Sequence, residues 1–120
     1  MKRTVHMARR RMSHVIDELY TALFRMGGKE VDMQLRREED GLRLTIRGDF
    51  PVENRRQVER MAEMLQPAVR NCALVETYWE LAGGDQYTSD SELSLVGQML
   101  DEARVDIGDG EVRMNLYLAF

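Results

Sequence analysis

The sequence predicts an α/β (α+β) two-layer sandwich, in which helices cover one face of a four-stranded mixed or antiparallel sheet. Three observations support this fold class. The chain has 120 residues, which is the length of a single domain. Apolar residues recur at three- and four-residue steps in some segments and at two-residue steps in others, as in amphipathic helices and half-buried strands. Hydrophobic residues make up 43% and charged residues 32%, the balance of a globular chain.

The first predicted element is a helix over residues 5–27. Its apolar side chains form one stripe, which consists of Met12, Val15, Ile16, Leu19, Leu23 and Met26. Gly27 and Gly28 follow, and glycine readily adopts the left-handed backbone conformation that ends a helix. The basic N-terminal segment, residues 1–13, is interpreted as a solvated and partly frayed start of this helix.

The apolar period then changes to two, which predicts an antiparallel hairpin. Residues 31–36 and 42–47 alternate apolar side chains with polar or charged ones. Asp40 and Gly41 lie between them, and this pair tolerates the positive φ angles of a tight turn. Strict alternation indicates that one face of the hairpin is buried and the other lies in water.

The second half is predicted to hold further helices and a second hairpin. In chain order, the predicted elements are helices at 54–66, 68–82 and 91–103 and strands at 104–107 and 111–119. Asp90 or Ser91 can cap the third of these helices through a side-chain oxygen. The resulting order, α-β-β-α-α-α-β-β, gives four strands that each have one apolar face, and a single layer of helices is needed to cover them.

Charge is distributed unevenly along the chain. Residues 1–60 contain 14 Lys and Arg against 10 Asp and Glu, a net +4, whereas residues 61–120 contain 3 against 11, a net −8. The two sums return the total of −4. This split permits attraction between copies or toward another protein, which salt would screen. The clean basic cluster at Lys2, Arg3 and residues 9–11 lacks the long stripe and stacking aromatics of a nucleic-acid interface, so no nucleic-acid partner is expected.

The single cysteine and the absence of a long apolar run indicate the cellular compartment. One cysteine, Cys72, cannot form an internal disulfide and suits a reducing environment, and its helical spacing favours a packed thiol over a reactive one. Two histidines and one cysteine make no closed ligand set, so no metal is expected. No apolar run reaches the roughly 18 residues of a membrane span. The N-terminus lacks the apolar core of a secretory signal, and the sequence therefore predicts a cytoplasmic chain without a membrane partner.

Two stretches resemble the GHKL superfamily, the histidine-kinase-type ATPase domains that include anti-sigma-factor kinases. The first is HVIDELYTALFRMGGKEVDMQLRREEDGLRLTIRGDF at 14–50, and the second is SELSLVGQMLDEARVDIGDGEVRMNLYLAF at 91–120. In that family an E-x-x-x-N helix precedes such a hairpin, which ends in an Asp-x-Gly-x-Gly turn. A Gly-rich turn then opens a late helix, and a last hairpin closes the domain. The resemblance implies a histidine-kinase-like ATPase fold.

The residues that hold ATP in that family are largely absent from this sequence. Glu18 matches the Glu that activates water, but Ala22 stands where the family has the Asn that holds Mg²⁺, and alanine offers no oxygen to a hard cation. The Asp that accepts a hydrogen bond from adenine aligns with Gly48, and Asp49 comes one residue late. The resemblance therefore implies a degenerate ATPase fold.

The third motif of the family is altered in the same direction. Its glycines let backbone N–H groups approach the phosphates at a helix N-terminus. In this chain Asp90 and Glu92 align with those glycines. At about 5 Å and an effective dielectric near 20, each carboxylate facing a phosphate charge would cost about 3 kcal/mol. We therefore expect no bound nucleotide and no cofactor.

The sequence accordingly predicts a non-catalytic protein-interaction or regulatory module on a degenerate ATPase fold, which is not an enzyme. Its partner would be another protein or a second copy in a homodimer. The candidate contact residues are aromatics and acids of one segment, namely Tyr78, Trp79, Asp85, Tyr87, Asp90 and Glu92. The alternative is an active ATP-binding protein kinase or nucleotide switch that uses Glu18 as base and Asp49 toward adenine.

His14 and Glu18 form one further candidate pair. They lie one helical turn apart and share a face. Such a pair can serve as an acid and a base, or it can form a simple surface contact. No third polar partner stands nearby in the sequence, which favours the surface contact.

Overall fold

A computed structural model of the chain describes residues 4–65 and 88–120. For residues 88–92 it describes the backbone only. Its elements, in chain order, are α1 (Val5–Arg25), β1 (Val31–Arg37), β2 (Gly41–Asp49), a 3₁₀ turn (Val52–Asn54), α2 (Arg55–Leu65), α3 (Thr88–Met99), β3 (Glu102–Ile107) and β4 (Glu111–Ala119). The predicted α+β class is confirmed. The four strands form one sheet of order β1-β2-β4-β3, in which every neighbouring pair is antiparallel.

Helix α1 begins and ends with local hydrogen bonds that its sequence supplies. The side-chain oxygen of Thr4 accepts a hydrogen bond from the backbone N–H of Met7 at 3.1 Å, which satisfies one free donor of the first turn. At the other end Gly27 has a φ of 93°, and the N–H of Gly28 donates to the carbonyl of Leu23 at 3.0 Å. The predicted glycine stop is therefore confirmed, with the last helical residue at Arg25.

The core lies between the helices and the inner face of the sheet. Its buried side chains come from α1 and from alternate positions of the two central strands, and they include Met12, Leu19, Leu23, Leu44, Ile46, Met114, Leu116 and Leu118. The alternation predicted for the hairpins thus places one face of β2 and β4 against the helices. The edge strand β1 is less covered, and Leu35 is exposed even though the predicted pattern places it on the buried face.

The turn of the first hairpin differs from the predicted one. Among the described residues, positive φ angles occur at Gly27 and Gly110 and not at Gly41. Glu38 donates its N–H to the carbonyl of Gly41 at 2.8 Å, so Gly41 is already the first residue of β2. Glycine is needed there for space, since an added Cβ would lie 2.5 Å from the Tyr117 hydroxyl oxygen and 2.6 Å from the Leu118 carbonyl oxygen.

The predicted extension of the last helix through Ala103 is wrong. Helix α3 ends at Met99, and Ala103 lies in β3 opposite Leu116. The spacing of Leu100 and Ala103 fits a helix as well as the entry to a strand. The sheet decides between them, because Asp101 donates its N–H to the Tyr117 carbonyl at 2.9 Å and its carboxylate accepts the N–H of Ala119 at 2.7 Å.

The helices divide the sheet between them. Helix α1 contacts β2 and β4, helix α2 contacts β3, and α3 contacts both α1 and α2. Gly97 sets the closeness of α3 to α2, because an added Cβ would lie 2.5 Å from the Met64 carbonyl oxygen. The helix predicted at 68–82 lies outside the described residues. None of the described helices combines the length and the apolar content required to cross a membrane.

Candidate functional site

A cleft of about 200 Å³ lies between α1, α2 and α3. Its lining residues come from all three helices and the end of α1, and they are Glu18, Thr21, Ala22, Arg25, Met26, Gln57, Arg60, Met61 and Leu93. The floor is apolar, since Met26, Met61 and Leu93 are buried. Charge enters through Glu18, Arg25 and Arg60, each of which already takes part in polar or electrostatic interactions. The cleft therefore offers an apolar base with a charged rim.

The cleft contains the residues that the resemblance compares with a cation site. Glu18 and Ala22 both line it, one helical turn apart. Of the lining residues, Glu18 alone carries a carboxylate, and Ala22 has no ligand atom where Mg²⁺ would need an oxygen. Across the described residues, no cluster of three or more His, Cys, Asp or Glu side chains is placed to hold a metal ion.

Asp49 is occupied elsewhere. Its Oδ1 accepts the backbone N–H of Glu30 at 2.8 Å and of Lys29 at 2.9 Å, which ties the end of β2 to the segment before β1. The N–H of Glu30, and then that of Lys29, stabilise the carboxylate and lower the pKa of Asp49. Asp49 does not line the cleft, so the geometry does not bring Glu18 and Asp49 into one cavity.

The other predicted site residues are placed as follows. His14 is exposed, and Glu18 lines the cleft. Asp90 and Glu92 belong to α3, but their side chains fall outside what the structure describes. The remaining predicted contact residues, with Cys72, also lie outside the described residues: Tyr78, Trp79, Asp85 and Tyr87.

Two aromatic side chains that the sequence reasoning missed are exposed on α1. Tyr20 is 40% exposed and Phe24 is 47% exposed. Their ring centroids lie 6.2 Å apart at 73°, an edge-to-face contact between residues one turn apart. A hydrogen bond with Asp17 raises the pKa of the Tyr20 phenol. Their i, i+4 spacing beside the apolar stripe is the sequence signal that could have identified them.

The aromatic pair and the cleft lie on opposite flanks of α1. Successive residues turn by about 100°, so Glu18 and Tyr20 diverge to either side of the buried Leu19. The Glu18 flank faces α2 across the cleft, and α2 packs on β3 at the far edge of the sheet. The Tyr20–Phe24 flank therefore lies on the side of α1 away from the cleft. We call Tyr20 and Phe24 the aromatic flank.

The outer face of the sheet is a network of neutralised charges. Arg43 pairs with Glu38 at 3.1 Å and with Glu102 at 3.6 Å, and its guanidinium lies 4.8 Å from the Tyr117 ring centroid. Similarly, Arg47 pairs with Asp32 at 2.9 Å. The hydrogen bond with Glu38 is the main cause that raises the pKa of Arg43. These arginines are committed to intrachain carboxylates, which is the pattern of a solvated face rather than of a polyanion site.

Comparison of the chain with protein-family models, curated proteins and solved structures found no match. The similarity to the GHKL superfamily stays a prediction that rests on the motifs quoted above.

Proposed function

We propose that this chain is a non-catalytic protein-interaction module that acts by contacting a protein partner and does not bind ATP. The observation that carries the proposal is the aromatic flank. Tyr20 and Phe24 are 40% and 47% exposed, on a helix whose residues Met12, Val15, Leu19 and Leu23 are buried in the core. Aromatic side chains are enriched at the buried centres of protein interfaces, where they supply much of the binding energy.

The chemistry of the cleft supports the second part of the proposal. A triphosphate needs a cation and several backbone or cationic donors around it. The cleft has an apolar floor, Ala22 in place of an oxygen ligand, and a single carboxylate at Glu18. Its two cationic residues, Arg25 and Arg60, already take part in other interactions. Asp49 is the residue nearest in sequence to the expected adenine acceptor, and its Oδ1 already accepts hydrogen bonds from two backbone N–H groups.

An ATP-dependent protein kinase or nucleotide switch is the second candidate function. The observation in its favour is that Glu18 lines the cleft, where a base would have to be. This candidate requires that purified chain turn over ATP and that Glu18→Ala abolish phosphate release or transfer. A parent chain without turnover eliminates it.

The proposal is tested by comparing what the intact chain retains from extract of its own cells after cross-linking. The double variant Tyr20→Ser with Phe24→Ser removes both exposed rings, and the matched control Val52→Ser changes an apolar side chain that is 72% exposed elsewhere. We expect the wild type and the control to retain the same partner and the double variant to retain at least about tenfold less. Circular dichroism first establishes that all three fold alike. Equal retention by the double variant would contradict the proposal.

A further inference from the structure

Strand β1 has a free backbone edge in the described structure. It pairs with β2 on one side, and no other described strand pairs with it. The hydrogen bond from the Glu38 N–H to the Gly41 carbonyl shows which residues of β1 direct their backbone hydrogen bonds to β2. Hydrogen-bonded pairs alternate along an antiparallel ladder, so Asp32, Gln34 and Arg36 direct their backbone groups to β2. The backbone N–H and C=O groups of the alternate residues therefore point away from β2, toward the free edge. These residues are Val31, Met33, Leu35 and Arg37.

The side chains of this edge are self-complementary in charge. Asp32 and Arg36 lie at equal distances on either side of Gln34, which is the middle residue of the strand. All three are exposed on the outer face of the sheet. Arg36 takes part in no ion pair among the described residues, whereas its neighbours Arg43 and Arg47 are paired. An antiparallel copy of the same strand would bring its Asp32 opposite Arg36. Asp32 already pairs with Arg47 of its own chain at 2.9 Å, so its carboxylate would be shared between the two arginines.

We propose that two copies of this chain pair through β1, antiparallel, with Gln34 opposite Gln34 of the partner subunit. Asp32 then faces the partner's Arg36, and Arg36 faces the partner's Asp32. Met33 faces Leu35 of the partner subunit on the inner side. The outward backbone groups of Val31, Met33, Leu35 and Arg37 complete a ladder between the copies, and the sheet becomes continuous across the dyad. This inference rests on the proposed function and names a second copy as the partner.

The register follows from the strand itself. If one strand were shifted by one residue, backbone groups that point to the free edge would lie opposite backbone groups of the partner that point to its own β2. No hydrogen bonds could form between them, so this register is excluded. A dyad centred on Leu35 would place Asp32 against Glu38 of the partner subunit. A dyad centred on Met33 would place Asp32 against the partner's Gln34, and Arg36 against the partner's Glu30, which lies outside β1. Both centres shorten the overlap of the two strands. The proposed register brings one pair of like charges together, Glu30 and the partner's Glu38. Both residues lie outside the paired strands, and Glu38 is already paired with Arg43 at 3.1 Å.

The apolar side of the edge supports the same occupant. Leu35 is 51% exposed on the inner side of β1. Pairing of the two strands would cover Leu35 with Met33 of the partner subunit. A free strand edge with exposed apolar side chains is otherwise prone to unspecific association.

The test is the mass of the full chain by sedimentation equilibrium over a range of concentrations. We expect the wild type to reach twice the 14.0 kDa chain mass. Arg36→Asp and Asp32→Arg each place like charges opposite one another twice across the dyad, so each variant should dimerise at least about tenfold more weakly. An equimolar mixture of the two variants restores both opposite-charge pairs and should recover dimers. Arg104→Asp on the other edge strand, β3, is the matched control and should dimerise like the wild type.

Amide exchange gives a readout that a merely structural role of Arg36 would not change. The N–H groups of Met33 and Leu35 should be protected in the wild-type dimer and exchange freely in Arg36→Asp, while the N–H of Gln34 stays protected in both. A wild type that remains monomeric at every concentration would overturn the proposal. So would single variants that dimerise as well as the wild type. Either result would leave the proposed function intact if the aromatic flank still governs retention of a different protein.

Discussion

The phenol of Tyr117 on β4 donates a hydrogen bond of 2.5 Å to Oδ1 of Asp40, which lies in the turn of the first hairpin, 77 residues earlier in the chain. The backbone N–H of Phe120 donates to the carbonyl of the same Asp40 at 2.9 Å. Gly41 has no side chain to obstruct this approach. The contact therefore fastens the end of the chain to the first hairpin.

Tyr117 should ionise well above the ordinary range of a tyrosine. The hydrogen bond with Asp40 is the main cause, and it raises the pKa of Tyr117 from 10.0 to about 12. Ultraviolet titration of tyrosinate should show one residue that ionises near pH 12, and Tyr117→Phe should remove that step. A titration unchanged by the substitution would contradict the role of Asp40.

The same shift predicts how stability depends on pH. The folded state raises the pKa and so favours the protonated phenol, which means that its contribution is fully present below pH 10 and is lost as the pH rises toward 12. The difference in urea midpoint between the wild type and Tyr117→Phe should be largest at neutral pH and shrink through that window. A constant difference would count against this linkage.

Asp49 should stabilise the fold through its ionised form. Its carboxylate accepts two backbone N–H groups, which lower its pKa, so its contribution is present above the ordinary value of 3.8 and is lost as the pH falls through the lower folded value. We expect Asp49→Asn to lower the urea midpoint at pH 7 and to match the wild type in strong acid. Exposed Asp106, whose carboxylate lies 3.6 Å from Arg104, offers the matched control Asp106→Asn, which should change little.

Gly97 should be intolerant of even one added methyl group. On propensity alone, Gly→Ala inside a helix stabilises by up to about 1 kcal/mol. Here the added Cβ would lie 2.5 Å from the Met64 carbonyl oxygen of α2, and backbone cannot move aside easily. We expect the steric cost of overpacking to exceed the gain in helix propensity, with a net loss of about 1–3 kcal/mol in the free energy of unfolding.

Gly108→Ala is the control for this substitution. Its Cβ would meet the Glu111 carbonyl oxygen at 3.7 Å, an ordinary contact, and Gly108 has no positive φ. Its free energy of unfolding should change by less than about 0.5 kcal/mol. Urea denaturation of both variants decides the matter, and a neutral Gly97→Ala would mean that α3 and α2 are not packed this closely.

The helix α1 and the two hairpins could be predicted from the sequence, because each follows one clear hydrophobic period. The end of α3 could not, since Leu100 and Ala103 fit either period and the deciding hydrogen bonds come from Tyr117 and Ala119 in a later strand. The turn of the first hairpin also differs from the one that the Asp-Gly pair predicts. Asp-Gly permits positive φ, but what Gly41 provides is room for the Tyr117 phenol, which no local pattern reveals.

The candidate site was predictable only in part. The motif comparison led to Glu18 and Ala22, and both line the cleft. The role of Asp49 could not be predicted, because its hydrogen-bond donors lie 19 and 20 residues earlier in the chain and meet it only when β1 and β2 pair. The exposure of Tyr20 and Phe24 likewise depends on which flank of α1 faces the cleft that α2 and α3 also line.

Isothermal titration of the full chain with ATP and Mg²⁺ measures whether this chain binds nucleotide. We expect no saturable heat in the micromolar range, because Ala22 offers no cation ligand and Asp49 is held by the backbone N–H groups of Lys29 and Glu30. Stoichiometric micromolar binding that Glu18→Ala abolishes would contradict this expectation.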